Sequence, residues 1–320
     1  MLVLGIETSC DETAAAVVKD GRKVLSNIVA SSIKLHQKYG GIIPEIASRS
    51  HIESIGFVVK EALIKSRKSL EDIESVAVTA NPGLIGSLLV GISFARALSF
   101  ALDRPLKEID HVRAHLYANL LNGQAPRLPA VGLVVSGGHS NIYYLKNLKT
   151  SSLLGWTADD AAGEAFDKVA KILNLGYPGG PIIDKLAKQG NAKKVKFNCS
   201  AFADSLNFSF SGVKTSVLYY VRDRWDKKRV KLVDICASFQ ETVVNALVEK
   251  SLRACKLKRV KSLMVGGGVA ANSRLREALC CEAEKQKVKV YFPTKEFCLD
   301  NAAMVAAMAY YELNHKGGKI

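Results

Sequence analysis

Leu2-Val-Leu-Gly-Ile-Glu7, Thr13-Ala-Ala-Ala-Val-Val18 and Lys23-Val-Leu-Ser-Asn-Ile-Val29 are three apolar runs that open the chain, with Asp20-Gly21 ahead of the last. An Asp-Gly step between apolar runs is a strong hairpin signal, so the segment reads as a β-meander. The pattern returns in Ala130–Ser136, Asn141–Leu148 and Ser151–Thr157. Each leading strand ends in a small polar loop: Glu7-Thr8-Ser9-Cys10-Asp11 in one case, Ser136-Gly137-Gly138-His139-Ser140 in the other. Two copies of strand–loop–strand–strand indicate an internal duplication.

Helical spacing fills the intervals: Ile43–Lys60, Gly86–Leu102, Ala161–Leu173, Ile182–Lys188, Leu232–Cys255 and Asn301–Asn314. Ser262–Val265 reads as a short buried strand ending in Gly266-Gly267-Gly268. Duplicated meanders followed by helices predict an α/β chain of the actin/Hsp70/sugar-kinase kind (ASKHA, RNase H-like), two-lobed with an interlobe cleft. The expected first lobe is residues 1–120, with the C-terminal helix 301–320 packing back on it. The expected second lobe is 121–300, carrying the nucleotide-binding loops and a basic surface.

Composition narrows the class. The chain has 320 residues, 48% of them hydrophobic and 23% charged, which suits roughly two globular domains. With 24 Gly and 8 Pro it is neither collagen-like nor low-complexity. No apolar run of membrane-spanning length escapes a charged or Gly-Pro interruption, and Met1-Leu-Val-Leu-Gly lacks the basic start of a secretory signal. The expectation is a cytoplasmic protein with no membrane contact. Seven cysteines without a C-x-x-C pair read as free thiols in a reducing compartment.

Charge points to a partner. The net charge is +15, and Lys185 to Lys261 alone holds 18 basic against 6 acidic residues, or +12. Such an excess suits a polyanion such as nucleic acid; the bland alternative is a solvated surface. Tyr219, Tyr220 and Trp225 lie inside the stretch, available either to stack bases or to fill a core.

Chemistry concentrates in three patterns. His111 and His115 are four residues apart, which on a helix puts both imidazoles on one face, able to grip one divalent metal. The Glu that a zinc peptidase needs after its first His is replaced by Val112. Asp300 is the candidate third ligand, and two His with one carboxylate suit iron(II) and are acceptable to zinc; its alternative is a helix N-cap. Glycine loops stand at Ser136-Gly-Gly-His139, Pro178-Gly-Gly-Pro181 and Gly266-Gly-Gly-Val-Ala-Ala-Asn272. Glycines beside helix N-termini let backbone N–H groups approach a phosphate, and no Walker loop is present. Asp11 and Glu12 in the first loop, with Asp167 and Asp184, supply carboxylates that could face a ligand or merely cap helices.

Eight motifs stand in order along nearly the whole chain. They are Gly5-Ile-Glu-Thr-Ser-Cys-Asp-Glu-Thr13, His111-x3-His115, Val135-Ser-Gly-Gly-His139, Gly163-Glu-Ala-Phe-Asp-Lys-Val-Ala170, Tyr177-Pro-Gly-Gly-Pro181, Phe208-Ser-Phe-Ser-Gly-Val-Lys-Thr215, Gly266-Gly-Gly-Val-Ala-Ala-Asn272 and Asp300-Asn-Ala-Ala-Met304. Together they closely resemble the TsaD family of tRNA adenosine threonylcarbamoyltransferases, once called glycoproteases. The form is similar to the bacterial one, with Val134-Val135 where archaeal and eukaryotic relatives usually carry a tyrosine. Arg113 and Leu299 depart from the usual pattern.

The resemblance implies transfer of the threonylcarbamoyl group from threonylcarbamoyl-AMP to N6 of adenosine 37, in tRNAs reading codons that start with A. It implies that His111, His115 and Asp300 hold one divalent metal, iron or else zinc. Val134, Val135, Ser136, Gly137 and Gly138, with Asp167, Gly180, Asp184 and Asn272, would hold the adenylate, and Asp11 and Glu12 would line the reaction centre. The implied partners are tRNA, a degenerate TsaB-like paralogue and a small TsaE-like ATPase. Two other readings of the same residues are a kinase- or Hsp70-like ATPase and a non-catalytic tRNA-binding scaffold.

Overall fold

The computed structural model describes residues 1–123, 125–199 and 205–314. Residues 200–204 of the basic stretch and 315–320 of the expected C-terminal helix segment lie outside the described residues. The chain divides into two compact units: Met1–Pro126 with the segment from Pro293 onward, and Arg127–Phe292.

In the first unit the opening meander forms as β1 (Leu2–Glu7), β2 (Glu12–Lys19) and β3 (Lys23–Ser31). Asp20 and Gly21 have φ of 54° and 65°, the left-handed pair at the centre of the turn that the Arg22 N–H closes on the Lys19 carbonyl at 3.2 Å. Then follow α1 (Ile33–Gln37), α2 (Pro44–Ser66), β4 (Ser75–Asn81), α3 (Ile85–Leu102), β5 (Leu106–Asp110) and α4 (His111–Tyr117). The sheet order is β3-β2-β1-β4-β5, with β1 antiparallel to β2 and parallel to β4, and β4 parallel to β5. Strands β4 and β5 escape the sequence reading. The first, Ser-Val-Ala-Val-Thr-Ala-Asn, is buried through its first five residues and so shows no alternation, and Leu-Lys-Glu-Ile-Asp is short and polar.

Leu4 and Ile6 of β1, Ala15 and Val17 of β2 and Val76 and Val78 of β4 keep the period of two that points one set of side chains to a single face. Ile55, Val58, Val59 and Ala62 of α2 and Ala95 of α3 join them in one core. By length and composition α3 could cross a membrane. It buries Ser87, Leu88, Gly91 and Ala95 in the unit, and its Arg96 pairs with Glu108 at 2.7 Å.

The second unit repeats the plan. Its elements are β6 (Ala130–Val135), β7 (Ser140–Leu145), β8 (Ser151–Trp156), α5 (Ala162–Ile172), α6 (Gly179–Ala187), α7 (Ser211–Asp223), α8 (Leu232–Lys258), β9 (Ser262–Gly266), α9 (Ser273–Lys285) and β10 (Lys289–Tyr291). The order β10-β9-β6-β7-β8 is the first sheet's order over again: a meander of three, with two parallel strands beside its leading strand. The duplicated two-lobed α/β fold expected from the meanders is the one observed. Helix α5 buries Ala162, Ala165, Phe166, Val169 and Ala170 along one stripe, and the Phe166 ring meets Phe239 of α8 edge-on at 5.0 Å. Helix α6 starts at Gly179 rather than Ile182: Gly179-Gly-Pro181 of the expected glycine loop is its first turn, where an unbonded N–H is normal and proline fits.

The chain then returns to the first unit as α10 (Lys295–Cys298) and α11 (Ala302–Leu313). Residues Ala302 to Ala309 of α11 are fully buried. The helix lies so close to β1 that a Cβ on Gly5 would strike the Ala302 carbonyl and the Ala306 nitrogen. Small residues on both partners make that approach possible.

Candidate functional site

In the first unit, β1, β4 and β5 are parallel and end on the same edge of the sheet. Ligand groups in open α/β sheets gather at the carboxyl ends of such strands. Here β5 runs directly into α4, whose start is capped by Asp110 Oδ1 accepting from the Arg113 N–H at 2.8 Å. His111 is the first residue of α4 and His115 lies one turn on; their rings meet edge to face at 4.9 Å. Asp300, just ahead of α11, places Oδ1 3.6 Å from His111 Nε2 and 3.3 Å from His115 Nε2. The three ligand atoms lie within 4.8 Å of one another.

Asp300 is not the N-cap. Asn301 caps α11 by accepting from the Met304 N–H at 3.0 Å, so the Asp300 carboxylate is left to face the histidines. Both ring nitrogens of His115 are buried without a hydrogen-bond partner among the described residues. A buried imidazole with two unsatisfied nitrogens is costly in a finished core and is what a metal ligand looks like without its metal. The donor set therefore fits a divalent ion.

Asp11 and Glu12 stand beside this group. Asp11 is 6% exposed and its Oδ2 has no hydrogen-bond partner among the described residues. Burial, then the charges of Asp300 and Asp11, push the Glu12 carboxyl up to about 10. Burial and the same carboxylates push the Cys10 thiol far up. Burial opposes a charge on His111, but Asp300 and Glu7 outweigh it and raise its imidazole to about 9. The pocket holds more negative than positive charge, which a divalent cation would correct.

One residue of this edge, Glu7, is absent from the candidates that the sequence offers. Glu7, at the end of β1, is fully buried. Its Oε1 accepts from the Ser9 N–H at 2.6 Å, and its Oε2 from Thr79 Oγ1 at 2.5 Å, with His111 Nδ1 3.0 Å away. A lone carboxylate closing an apolar strand was the available signal. Arg113 and Leu299, the two departures from the family pattern, lie outside the triad: Arg113 reaches Glu312 of α11 at 3.5 Å, and Leu299 is exposed.

The second unit assembles the glycine loops. Beyond Val134 and Val135, the loop from Ser136 to His139 is closed by the Ser136 N–H donating to the His139 carbonyl at 2.8 Å. The Ser136 carbonyl accepts from the Gly163 N–H in the first turn of α5 at 3.1 Å. Asp167 of α5 accepts from the Gly179 N–H at 2.7 Å, tying in the start of α6 beside Gly180. Burial holds its carboxyl above the usual range despite N–H donors from Gly179 and Gly180. Asp184 of α6 accepts from Ser273 Oγ at 2.8 Å, tying in the start of α9, where Asn272 is the N-cap. Gly267 has φ 92°, and a Cβ there would strike the Val135 carbonyl. Hydrogen bonds thus tie the Ser136–His139 loop to the start of α5, Asp167 to the start of α6 and Asp184 to the start of α9. Gly137 and Gly138 are exposed, with open space where a Cβ would be. N–H groups at helix starts suit a phosphate.

The basic stretch is mostly surface. Lys227, Lys228 and Arg229 are exposed between α7 and α8, and Arg253, Lys256, Arg259 and Lys261 line an open groove at the end of α8. Tyr219 is exposed with Arg222 over its ring at 4.9 Å; Tyr220 packs on Phe197, and the Trp225 indole N–H donates to the Val230 carbonyl at 2.9 Å.

The repeated sheets define a class first: this is a duplicated, two-lobed α/β chain of the actin/Hsp70/sugar-kinase kind. Solved structures agree on the fold. The Acidaminococcus fermentans (R)-2-hydroxyglutaryl-CoA dehydratase component A matches with a TM-score of 0.59 at 16% identity, over 98% of both chains. HypF of T. kodakarensis matches with a TM-score of 0.66 at 14% identity, over 97% of this chain and 47% of that one. A family model described as "TsaD: tRNA N6-adenosine threonylcarbamoyltransferase" matches residues 23–307, and the chain belongs to that family. It is 50% identical to the Clostridium kluyveri tRNA N6-adenosine threonylcarbamoyltransferase over 97% of this chain and 92% of the relative. It is 51% identical to the enzyme of that name from Syntrophus aciditrophicus over 98% and 93%.

Proposed function

We propose that the chain transfers the threonylcarbamoyl group from threonylcarbamoyl-AMP to N6 of adenosine 37 in tRNAs reading codons that begin with A. The observation that carries this reading is half identity, end to end, to enzymes of that name. The buried His111–His115–Asp300 group supports it, since a phosphotransferase of the same fold needs no such pair of histidines.

In this reading His111, His115 and Asp300 hold one divalent ion, iron(II) in preference to zinc, through two neutral imidazoles and one carboxylate. Such an ion supplies Lewis acidity toward a carbonyl or phosphoryl oxygen. The loop from Val134 to Gly138, with Asp167, Gly180, Asp184 and Asn272, holds the adenylate and offers N–H donors to the phosphate as it leaves. The N6 nitrogen bonds to the carbamoyl carbon, the bond from that carbon to the phosphate oxygen breaks, and AMP departs. Asp11, with an unpartnered Oδ2, is the acceptor for the N6 proton. Glu12 lines the reaction centre beside Asp11.

The substrate macromolecule is tRNA, and the exposed bases of α7, α8 and the turn between them are its phosphate contacts. A degenerate paralogue of the TsaB kind docks on α2 and α3, whose Ile52, Phe57, Ile85, Leu89 and Phe100 are 62–91% exposed. A small TsaE-like ATPase completes the set of partners, and the cytoplasm is the place of action. The test is nucleoside mass spectrometry of unmodified tRNA after incubation with the protein, its partners and synthetic threonylcarbamoyl-AMP. Threonylcarbamoyladenosine at position 37 is expected. ATP hydrolysis that persists without both histidines, and no modified nucleoside, overturns the reading in favour of a kinase-like ATPase.

A further inference from the structure

We infer that Glu7 is a positioning residue for His111: its carboxylate holds the proton on Nδ1 and so keeps the Nε2 lone pair turned toward Asp300 and a metal. The inference rests on the reading of His111, His115 and Asp300 as metal ligands.

Glu7 is fully buried, and a buried carboxylate persists only where donors satisfy its oxygens. Two donors are fixed by chemistry, the Ser9 N–H at 2.6 Å on Oε1 and the Thr79 hydroxyl at 2.5 Å on Oε2. His111 Nδ1 lies 3.0 Å from Oε2. An ionised carboxylate only accepts, so this contact is a hydrogen bond only when Nδ1 carries the proton. The neutral ring then presents a bare Nε2, the atom 3.6 Å from Asp300 Oδ1. The alternative is close at hand. Ser9 Oγ is 3.1 Å from the same Nδ1 and can donate as well as accept. Without the carboxylate, Ser9 can satisfy a bare Nδ1, which moves the proton to Nε2 and blocks the metal-facing lone pair. Ligating histidines are generally oriented in this way by a partner on the far nitrogen. His115 has no such partner among the described residues.

Imidazole nitrogen-15 shifts in metal-free protein labelled at histidine test this without any metal. The His111 signals are assigned by their loss in His111→Ala. Recorded above pH 9, where the imidazole is neutral, the wild type should show a protonated Nδ1 and a bare Nε2 on His111; the reverse tautomer overturns the proposal. In Glu7→Gln, whose amide can accept or donate, the Nδ1–H form should give way to a mixture or to Nε2–H. Zinc(II) affinity, measured by competition with a chelator, should fall about 10–100-fold. A Glu7→Gln protein that keeps both the wild-type tautomer and the wild-type zinc affinity refutes the positioning role. If this variant does not fold, the wild-type tautomer still decides. Unchanged zinc affinity in a folded His111→Ala/His115→Ala protein instead refutes the metal reading, whatever the tautomer in the wild type.

Discussion

The two sheets share strand order and direction, yet the loops after their leading strands do different chemistry. After β1 comes Glu7-Thr-Ser-Cys-Asp-Glu12, crowded with carboxyl and hydroxyl groups and buried through most of its length. After β6 comes Ser136-Gly-Gly-His139, whose glycines are exposed and nearly side-chain-free. The first loop can surround a cation with oxygens and nitrogens. The second leaves room for a phosphate to reach backbone N–H groups. One scaffold thus offers an acidic, buried strand end and a neutral, open one, and the loop composition alone sets the difference.

The sharpest way to break this division is at the metal ligands. His111→Ala/His115→Ala should abolish metal binding by elemental analysis and lower adenosine modification by at least about a hundredfold, the scale of losing a main electrostatic stabiliser. AMP binding should stay unchanged by calorimetry. Equal loss of AMP binding would show that the two strand ends are not separate in task.

The converse variant is Gly137→Val. Because the place of its Cβ is open, the fold should tolerate it, with a melting temperature within about 2 °C of wild type. AMP affinity should drop about tenfold or more, since roughly 1.4 kcal/mol of phosphate contact is enough for that. Metal content should not change. Unaltered AMP binding would remove this loop from the phosphate site.

A third, weaker effect concerns the surface of the second unit. If its bases meet RNA phosphates, tRNA affinity should fall with salt, with a log–log slope of about 0.7–0.9 per phosphate neutralised. Lys227→Glu/Lys228→Glu/Arg229→Glu should flatten that slope and weaken different tRNAs alike. An unchanged slope would leave these residues as solvated surface.

The smallest expected effect lies in the acidic loop. The Glu12 carboxyl is raised in the folded chain, so the native state binds that proton more tightly than the unfolded one. Its contribution to stability is complete below the ordinary value of 4.5 and is lost as pH rises toward about 10. Glu12→Gln should therefore raise the melting temperature of metal-free protein by about 3 °C or more at pH 8 and by less at pH 5. A gain that is larger at pH 5 would contradict the buried, acidic character assigned to this strand end.

Local pattern made much of this molecule legible. Alternating apolar runs and an Asp-Gly turn specify the meanders, because side chains repeat every two residues and that turn needs positive φ. Spacing put His111 and His115 on one face, and glycine runs marked the loops of the second unit. What depended on the assembled chain was different in kind. Strands β4 and β5 form because β1 offers them a paired edge, not because their own residues alternate. Asn301 rather than Asp300 caps α11, a choice between neighbours that only the geometry of the turn makes. That choice frees Asp300 to meet the two histidines from the far end of the chain. Glu7 reads in sequence as a charge ending an apolar strand. It becomes a proton-holding partner of His111 only when β1, β4 and α4 converge, because hydrogen bonds and charge–charge energies depend on distance in space and not along the chain.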